Sequence, residues 1–295
     1  MAGAPALAFR RLRGPAEFQE AAGPFLAARE AENNLMLGLT ANLVAGRAYG
    51  PQPPFFAVVR AGTDVVGAAM RTPPFNLILA AGTTEHALPL ILDGIARETT
   101  DITGLIGPKD LARRGVDLWS ARTGLAHRLQ MAERIYALAR VIPPRPVSGR
   151  MRPAHSRERD LIGRWFHAFG LEAQPHLPTT LAEAQRNADG WIAGGRLRVW
   201  ENDVVVSMAG SSGPTPHGIR VGAVYTPPDR RRRGYASALV AALSQEQLDA
   251  GKRFCFLYTD LANPTSNKIY QEIGYEPVSD VDEYHFDPPG ASTGR

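Results

Sequence analysis

The sequence contains a single cysteine, Cys255, so an internal disulfide framework is impossible and a reducing compartment is expected. Cys255 lies in the apolar run from Phe254 to Tyr258, which is typical of a buried strand and favours a small core side chain over a reactive thiol. The seven histidines show no ligand-type spacing, and one cysteine excludes a zinc site built from Cys and His. We therefore expect no metal.

Long apolar runs are also missing, because no window of the sequence approaches membrane-spanning length. The segment from Met1 to Gly14 carries Arg10, Arg11 and Arg13 but lacks the apolar stretch and cleavage pattern of a signal peptide. The sequence therefore predicts a cytoplasmic protein that does not engage a membrane.

The composition is that of an ordinary folded protein, with 44% hydrophobic and 21% charged residues. A length of 295 residues suggests two units of comparable size. The net charge of +4 and the isoelectric point near 9.4 reflect arginine rather than lysine. This charge suits an anionic ligand or a nucleic-acid surface, and composition alone does not choose between them.

A proline-rich linker, Pro143 to Pro146, marks the predicted domain boundary, since consecutive prolines continue neither a helix nor a sheet ladder. We place one domain at residues 1–145 and the other at residues 146–295. Each half shows the same coarse order of strands and helices, and Asp64-Val65-Val66 and Asp203-Val204-Val205 occupy equivalent places. A tandem repeat of one fold is favoured, and two unrelated α/β domains with a shared order are the alternative.

The stretch from Val221 to Ser237 reads as a strand, a turn stiffened by proline, an arginine-rich loop and the start of a helix. Unpaired N–H groups at a helix N-terminus, with about half a positive charge from the macrodipole, receive phosphate oxygens well. Gly234 permits close backbone approach, Ala236 is small, and the segment from Arg231 to Arg233 adds charge and planar donors. The loop therefore predicts a pyrophosphate site, with a solvated charged face as the alternative.

The segment from Asn263 to Gly274 reads as a complete helix with an N-cap, a proline at the first helical position and a terminating glycine. Asn263, Ser266 and Tyr270 fall on one side at i, i+3 and i+7. Such a polar stripe is expected to face something other than core. The alternative is a tyrosine that packs its ring and leaves its hydroxyl at the surface.

Together these residues resemble the GNAT superfamily of N-acetyltransferases. The acetyl-CoA signature of that family is matched by Arg231-Arg232-Arg233-Gly234-Tyr235-Ala236, and its second motif by Asn263, Ser266, Tyr270 and the pair Gly274-Tyr275. The resemblance covers Gly149 to Phe286, with one departure at Arg232, where many members carry glycine. It implies an α/β fold with a mixed, mostly antiparallel sheet flanked by helices, here in two tandem copies.

The resemblance implies that acetyl-CoA is the cosubstrate, an amine of a small molecule or protein is the acceptor, and attack is direct. The strand at Val224 is expected to splay from the next strand, and an N–H of Val224 or its neighbour to polarise the thioester oxygen. Tyr270 is the candidate general acid. The cofactor-binding residues carried over from the family are Val224, Tyr225, Thr226, Arg231, Arg232, Arg233, Gly234, Tyr235, Ala236, Ser237, Asn263 and Ser266.

A tyrosine with a pKa near 10 is protonated at neutral pH, and a thiol titrates near 8.5, so donation from Tyr270 to the departing sulfur is expected to be downhill. The general base is not visible in the sequence. Glu172, Asp260 and Glu283 lie in segments that could border the cleft, and water is the alternative.

In the first half the corresponding loop, Gly82-Thr83-Thr84-Glu85, has no arginine and lacks the signature. We expect no acetyl-CoA there and interpret this half as a degenerate copy that shapes the acceptor pocket or braces the active domain. The polar cluster Glu32-Asn33-Asn34-Leu35 could contact an acceptor, although a helix boundary explains it equally well.

Two other classes of function compete with an enzyme. An acyl-CoA-sensing regulatory module would keep the loop but tolerate loss of Tyr270. A nucleic-acid binder would use Arg230 to Arg233, but its basic positions should be spread out among aromatic residues. No nucleic-acid partner is therefore expected, and the sequence does not determine the oligomeric state, with a homodimer as one option.

Overall fold

The structure, a computed structural model, describes residues 5–99, 101–176 and 179–287. These residues form two compact units. Unit 1 holds the described residues up to Ile135, Gly213–Pro216 and those from Val278 onward. Unit 2 holds Tyr136–Ser212 and His217–Pro277.

The chain passes twice through one order of elements, namely a strand, two helices, three strands, a helix, a strand, a helix and a final strand. The first pass comprises β1 (Leu7–Arg11), α1 (Pro15–Ala27), α2 (Asn34–Val44), β2 (Phe55–Ala61), β3 (Asp64–Arg71), β4 (Leu77–Leu79), α3 (Ala87–Ala96), β5 (Gly104–Pro108), α4 (Lys109–Thr123) and β6 (His127–Leu138). The second comprises β7 (Arg150–Pro153), α5 (Arg159–Ala173), α6 (Leu181–Ala193), β8 (Leu197–Asn202), β9 (Val204–Ser212), β10 (Gly218–Tyr225), α7 (Tyr235–Asp249), β11 (Phe254–Asp260), α8 (Pro264–Glu272) and β12 (Glu276–Phe286).

The strand pairing repeats as well. In unit 1 the strands follow the order β1-β2-β3-β4-β5-β12, and in unit 2 the order is β11-β10-β9-β8-β7. Each series is antiparallel except for one parallel pair, β4 with β5 and β10 with β11. The predicted fold class, a mixed and mostly antiparallel sheet flanked by helices in two copies, is confirmed.

The final strand, β12, differs from the expectation that it belongs to the second domain. Within unit 1, β12 pairs antiparallel with β5, with Val281 opposite Pro108 and His285 opposite Gly104. Tyr136 and Leu138, at the end of β6, belong to the core of unit 2. The compact units therefore do not divide at residues 145 and 146, and separate functional domains at that boundary remain a prediction.

Helices cover both faces of the strand series in each unit, so the central strands are buried on both sides. In β2, Phe55, Ala57 and Val59 pack into a cluster with residues of α3 and α4, whereas Phe56 and Val58 pack with α1 and α2. This alternation follows from the two-residue side-chain period of a strand. In unit 2, α7 and α8 share one cluster and α5 and α6 share the other.

Cys255 is fully buried in the cluster that contains α7 and α8. Burial raises the pKa of its thiol to about 12, so the thiolate is scarce at neutral pH. The predicted role as a small core side chain is confirmed.

In the described residues we find no helix that combines the length and the apolar character needed to span a membrane.

Candidate active site

A β-bulge interrupts β10 just before the arginine-rich loop. Gly222 lies opposite Gly210 of β9, but the next registered pair is Tyr225 with Met208, so the strand carries one extra residue. Ala223, inside the bulge, has a φ of 51°. The bulge redirects the backbone at Ala223 and Val224.

The parallel strands β10 and β11 part at the same level. They pair from Gly218 opposite Phe254 to Arg220 opposite Phe256, and among the described residues the registered pairing stops there. β10 beyond Arg220 and β11 beyond Phe256 therefore have no registered pair with each other. The expected splay between these strands is present.

The N-terminus of α7 presents a row of backbone donors. A 3₁₀ turn at Pro228–Arg230 leads into the loop, and the first backbone hydrogen bond of α7 runs from Ala238 N–H to the Gly234 carbonyl at 3.0 Å. Within the described ranges, no carbonyl accepts from the N–H groups of residues 232–237. Unpaired donors at a helix N-terminus are suited to a phosphate group.

Gly234 shapes this row in two ways. Its φ of 81° is left-handed, and a Cβ added there would lie 2.8 Å from Cγ1 of Val147. Any side chain at this position would be strained and would press against Val147. The row fits an anionic diphosphate because it combines free donors with a glycine in its middle.

The Arg231 side chain is held in place by hydrogen bonds to its neighbours. Its Nε donates to the Thr226 carbonyl at 2.8 Å, and its Nη2 contacts both carboxylate oxygens of Glu172 at 2.7 and 2.8 Å. The guanidinium also lies 5.7 Å from the ring centroid of Tyr225. The expected direct role of Arg231 at a phosphate is therefore not visible in this arrangement, in which the side chain joins β10 to the last turn of α5.

The other two arginines of the loop are exposed. Arg233 makes a long contact from Nη2 to the Asp229 carbonyl at 3.4 Å. Arg232 has a left-handed φ of 62°, which explains why glycine suits this position in the resembled family.

The strain at Arg232 gives a stability prediction. Arg232→Gly and Arg232→Ala both remove the charge, but only glycine relieves the left-handed backbone. We expect Arg232→Gly to be more stable than Arg232→Ala by about 0.5–1 kcal/mol, the left-handed penalty less the entropy cost of glycine. Urea unfolding of the two variants measures the difference, and equal or reversed midpoints would contradict it.

The side chains of several predicted cofactor residues face inward. Tyr225 is buried, and its ring centroid lies 6.0 Å from that of Trp165. The pKa of its phenol is raised mainly by desolvation and, to a smaller extent, by the negative charge of Glu172. The Tyr235 side chain is buried, and its hydroxyl accepts from Asn202 at 2.9 Å. Thr226 Oγ1 bonds to Ser207 Oγ at 2.9 Å. These residues offer a ligand their backbone groups rather than their side chains.

The second motif forms the expected helix α8. The Asn263 side chain accepts from Ser266 N–H at 3.1 Å, and Pro264 is the first helical residue. Gly274 ends the turn with a φ of 104°, and a Cβ there would lie 2.6 Å from the Arg140 carbonyl. The predicted caps are confirmed, and the Asn263 side chain serves the helix end itself.

Tyr270 is more buried than the polar stripe suggested. Only 9% of the residue is exposed, and its ring makes an edge contact with Tyr275 at 6.0 Å between centroids. Its cluster also holds Val221 of β10 and Tyr235 of α7, so both motifs meet on one core. The stripe is therefore polar at Asn263 and Ser266 but turns into the core at Tyr270.

The expected energetics of proton donation need correction. A phenol with the ordinary pKa of about 10 is already a weaker acid than a thiol of pKa about 8.5, and burial raises the pKa of Tyr270 further, to about 12. Complete transfer to a free thiolate is uphill, and the expectation of a downhill step is wrong. A buried phenol suits hydrogen-bond donation to a sulfur as charge develops there.

Sequence reasoning missed the residues that hold α8 in place. The Tyr136 hydroxyl donates to Asn267 Oδ1 at 3.0 Å and accepts from Gln271 Nε2 at 3.3 Å. Asn267 Nδ2 donates to the carbonyls of Asp260 and Asn263 at 2.9 and 2.8 Å. No local signal links Tyr136 to a helix 131 residues away.

The candidate bases are engaged elsewhere. Glu172 binds Arg231, and Asp260 accepts from Ala262 N–H at 2.8 Å. Glu283 accepts from Asn76 at 2.7 Å and belongs to unit 1. Each of the three carboxylates therefore already accepts a hydrogen bond.

The equivalent loop of unit 1 is closed by its own hydrogen bonds. Asn33, 2% exposed, accepts from Ala81 N–H at 2.8 Å and donates to the carbonyls of Leu26 and Ala81. Thr84 N–H donates to the Val66 carbonyl at 2.9 Å. Asn33 therefore joins the α1–α2 connection to this loop, and the helix-boundary interpretation of the polar cluster is correct.

Several solved structures share this architecture over their full length. A GCN5-related N-acetyltransferase from Sphaerobacter thermophilus matches with a TM-score of 0.63 and 15% identity, over 96% of this chain and 96% of its own. A tandem GNAT protein from the clavulanic acid biosynthesis pathway matches with a TM-score of 0.56 and 16% identity, over 97% of this chain and 100% of its own. The chain has the GNAT fold.

Further comparisons agree with the GNAT fold. A GNAT-family acetyltransferase from Colwellia psychrerythraea matches with a TM-score of 0.53 and 10% identity, over 95% of this chain and 100% of its own. The family model for FR47-like protein matches residues 206–284, which contain both GNAT motifs. No curated protein matches the chain in sequence. The fold implied by the resemblance to the GNAT superfamily is confirmed.

Proposed function

We propose that the protein is an N-acetyltransferase that moves an acetyl group from acetyl-CoA to a primary amine by direct attack. The observation that carries this proposal is the row of unpaired N–H groups at the start of α7, beside the splay of β10 and β11. A diphosphate matches the donor row, and an extended arm matches the open strand edge. The named GNAT acetyltransferases with the same fold support the proposal.

The backbone of unit 2 holds the cosubstrate in this proposal. The N–H groups from Arg232 to Ser237 bind the pyrophosphate, and the backbone from Val224 to Thr226 binds the pantetheine arm. Acetyl-CoA supplies the activated acyl group. An N–H at the bulge, at Val224 or its neighbour, polarises the carbonyl oxygen that gains charge during attack.

Tyr270 donates a hydrogen bond to the departing sulfur, which leaves as the thiolate and takes its proton from solvent, while the buried phenol stays protonated across the working range of pH. The acceptor is neutral when it attacks. An α-amino group, with a pKa of about 8, needs less help than a lysine amine at about 10.4. Water accepts the proton in this scheme, because Asp260 and Glu283 accept hydrogen bonds from other groups and Glu172 lies at Arg231 of the diphosphate loop.

Unit 1 binds no acetyl-CoA in this proposal, because its loop spends N–H groups on Asn33 and Val66. Its role is to shape the acceptor pocket or to brace the catalytic half. We place the protein in the cytoplasm without a nucleic-acid partner.

Free-thiol release from acetyl-CoA, measured across a panel of amines, amino acids and peptides, tests the activity. We expect at least one primary amine to raise thiol release above the rate without acceptor, with an acetylated amine as the product. Coenzyme A binding without release for any acceptor would instead support a regulatory module that senses acyl-CoA.

A further inference from the structure

Arg231 and Glu172 form an ion pair immediately beside the donor row of α7. The guanidinium gives Nε to the Thr226 carbonyl and Nη2 to both oxygens of Glu172. The side chains of the pair remain 42% and 50% exposed, so solvent and ligands reach both charges. Glu172 is the penultimate residue of α5, and Arg231 opens the signature of the loop.

The pair places a negative charge next to a site built for anions. Glu172 contributes to the raised pKa of the Tyr225 phenol, which locates its charge near the end of β10. The Glu172 carboxylate accepts from Nη2 of Arg231, a donor that would otherwise be open to a phosphate oxygen. An exposed ion pair contributes little to stability, so an incoming diphosphate can break it.

We propose that Glu172 is a positioning residue that acts through Arg231, holding the guanidinium away from the donor row until an anionic diphosphate ligand displaces the carboxylate. The inference rests on the proposed function, since it needs a diphosphate at the start of α7. Ligand binding releases the end of α5 from the loop and turns Arg231 toward the ligand. Glu172 thus lowers the affinity of the ligand-free site for an anionic diphosphate.

The test measures coenzyme A affinity by calorimetry in the full-length protein. We expect Glu172→Gln and Glu172→Ala to bind coenzyme A more tightly than the wild type, on the order of 3- to 10-fold. A residue with a merely structural role could only weaken binding when replaced. In the Arg231→Met background, removal of the Glu172 charge should change the affinity by less than about 2-fold.

Asp229→Asn is the matched control. Asp229 lies on the same loop, is 71% exposed at its side chain and pairs with Arg230 rather than Arg231. The Asp229→Asn variant removes one negative charge without freeing Arg231, so we expect the affinity for coenzyme A to change by less than about 2-fold.

Three outcomes would overturn the inference. Unchanged or weaker binding in both Glu172 variants would exclude competition for Arg231. Equal tightening with Arg231→Met, or in Asp229→Asn, would reduce the effect to general charge. If the wild type binds no coenzyme A, the proposed function itself fails, which is a separate result.

Discussion

Tyr270→Phe is expected to lower turnover by about 10²-fold or more while acetyl-CoA affinity changes little, because the variant removes one hydroxyl and keeps the ring in the core. The hydroxyl matters only as charge develops on the sulfur, so the loss should appear in kcat rather than in binding. Steady-state kinetics together with calorimetry separate the two quantities. Unchanged turnover would exclude Tyr270 as the hydrogen-bond donor to the sulfur.

Tyr275→Phe is the matched control, since Tyr275 is a buried phenol in edge contact with Tyr270. Its hydroxyl bonds to Ser244 at 2.8 Å, so its loss should cost about 1 kcal/mol of stability and less than about 3-fold in turnover. A comparable loss of turnover in both variants would point to packing rather than to chemistry at Tyr270.

The pH dependence of kcat tests the protonation of Tyr270. The raised pKa of Tyr270, about 12, means that the phenol holds its proton as the pH rises through 8 and 10. We therefore expect no decline of kcat from Tyr270 ionisation below about pH 11. A decline with an apparent pKa near 10 that disappears in Tyr270→Phe would contradict the burial of the phenol.

Gly234→Val is expected to weaken coenzyme A binding by about 10²-fold or more, because strain and crowding displace several charge-assisted N–H contacts together. The residue has a φ of 81°, and its Cβ would lie 2.8 Å from Cγ1 of Val147. Calorimetry on a variant of confirmed fold measures the loss. An affinity within about 3-fold of the wild type would show that the diphosphate does not use this row.

Two further variants separate the causes of that loss. Gly251→Val is the matched control, because Gly251 follows the far end of α7 with a left-handed φ of 93° and a Cβ there meets nothing within 4 Å, so we expect binding close to wild type. Gly234→Ala combined with Val147→Ala relieves the contact but keeps the left-handed strain. Its affinity should fall between those of Gly234→Ala and the wild type.

Local elements were predictable because their signals are local. The helix predicted to start after the arginine-rich loop is α7 at Tyr235–Asp249, and the helix predicted in the segment from Asn263 to Gly274 is α8 at Pro264–Glu272. A left-handed glycine, an asparagine cap and a proline at the first turn each act within a few residues. The donor row at Gly234 followed from the same short-range rules.

Long-range partners could not be predicted from one sequence. Arg231 finds Glu172 at a separation of 59 residues, and Tyr136 finds Asn267 at 131. The pairing of β12 with β5 is equally non-local, since alternation along a strand identifies its faces but not its neighbour.

Tyr270 shows why helical spacing alone was insufficient. An amphipathic side chain fits a polar stripe or a core stripe, and only the contact with Tyr275 in the folded chain decides between them. The same burial raises the pKa of Tyr270 and so widens a gap to the thiol that an unperturbed phenol already has.

Calorimetric titration of the full-length protein with coenzyme A tests the central claim most directly. We predict a saturable isotherm with a Kd below about 1 mM and one site per chain, since the loop of unit 2 presents free donors and that of unit 1 is closed. Absence of binding at millimolar coenzyme A would contradict the account.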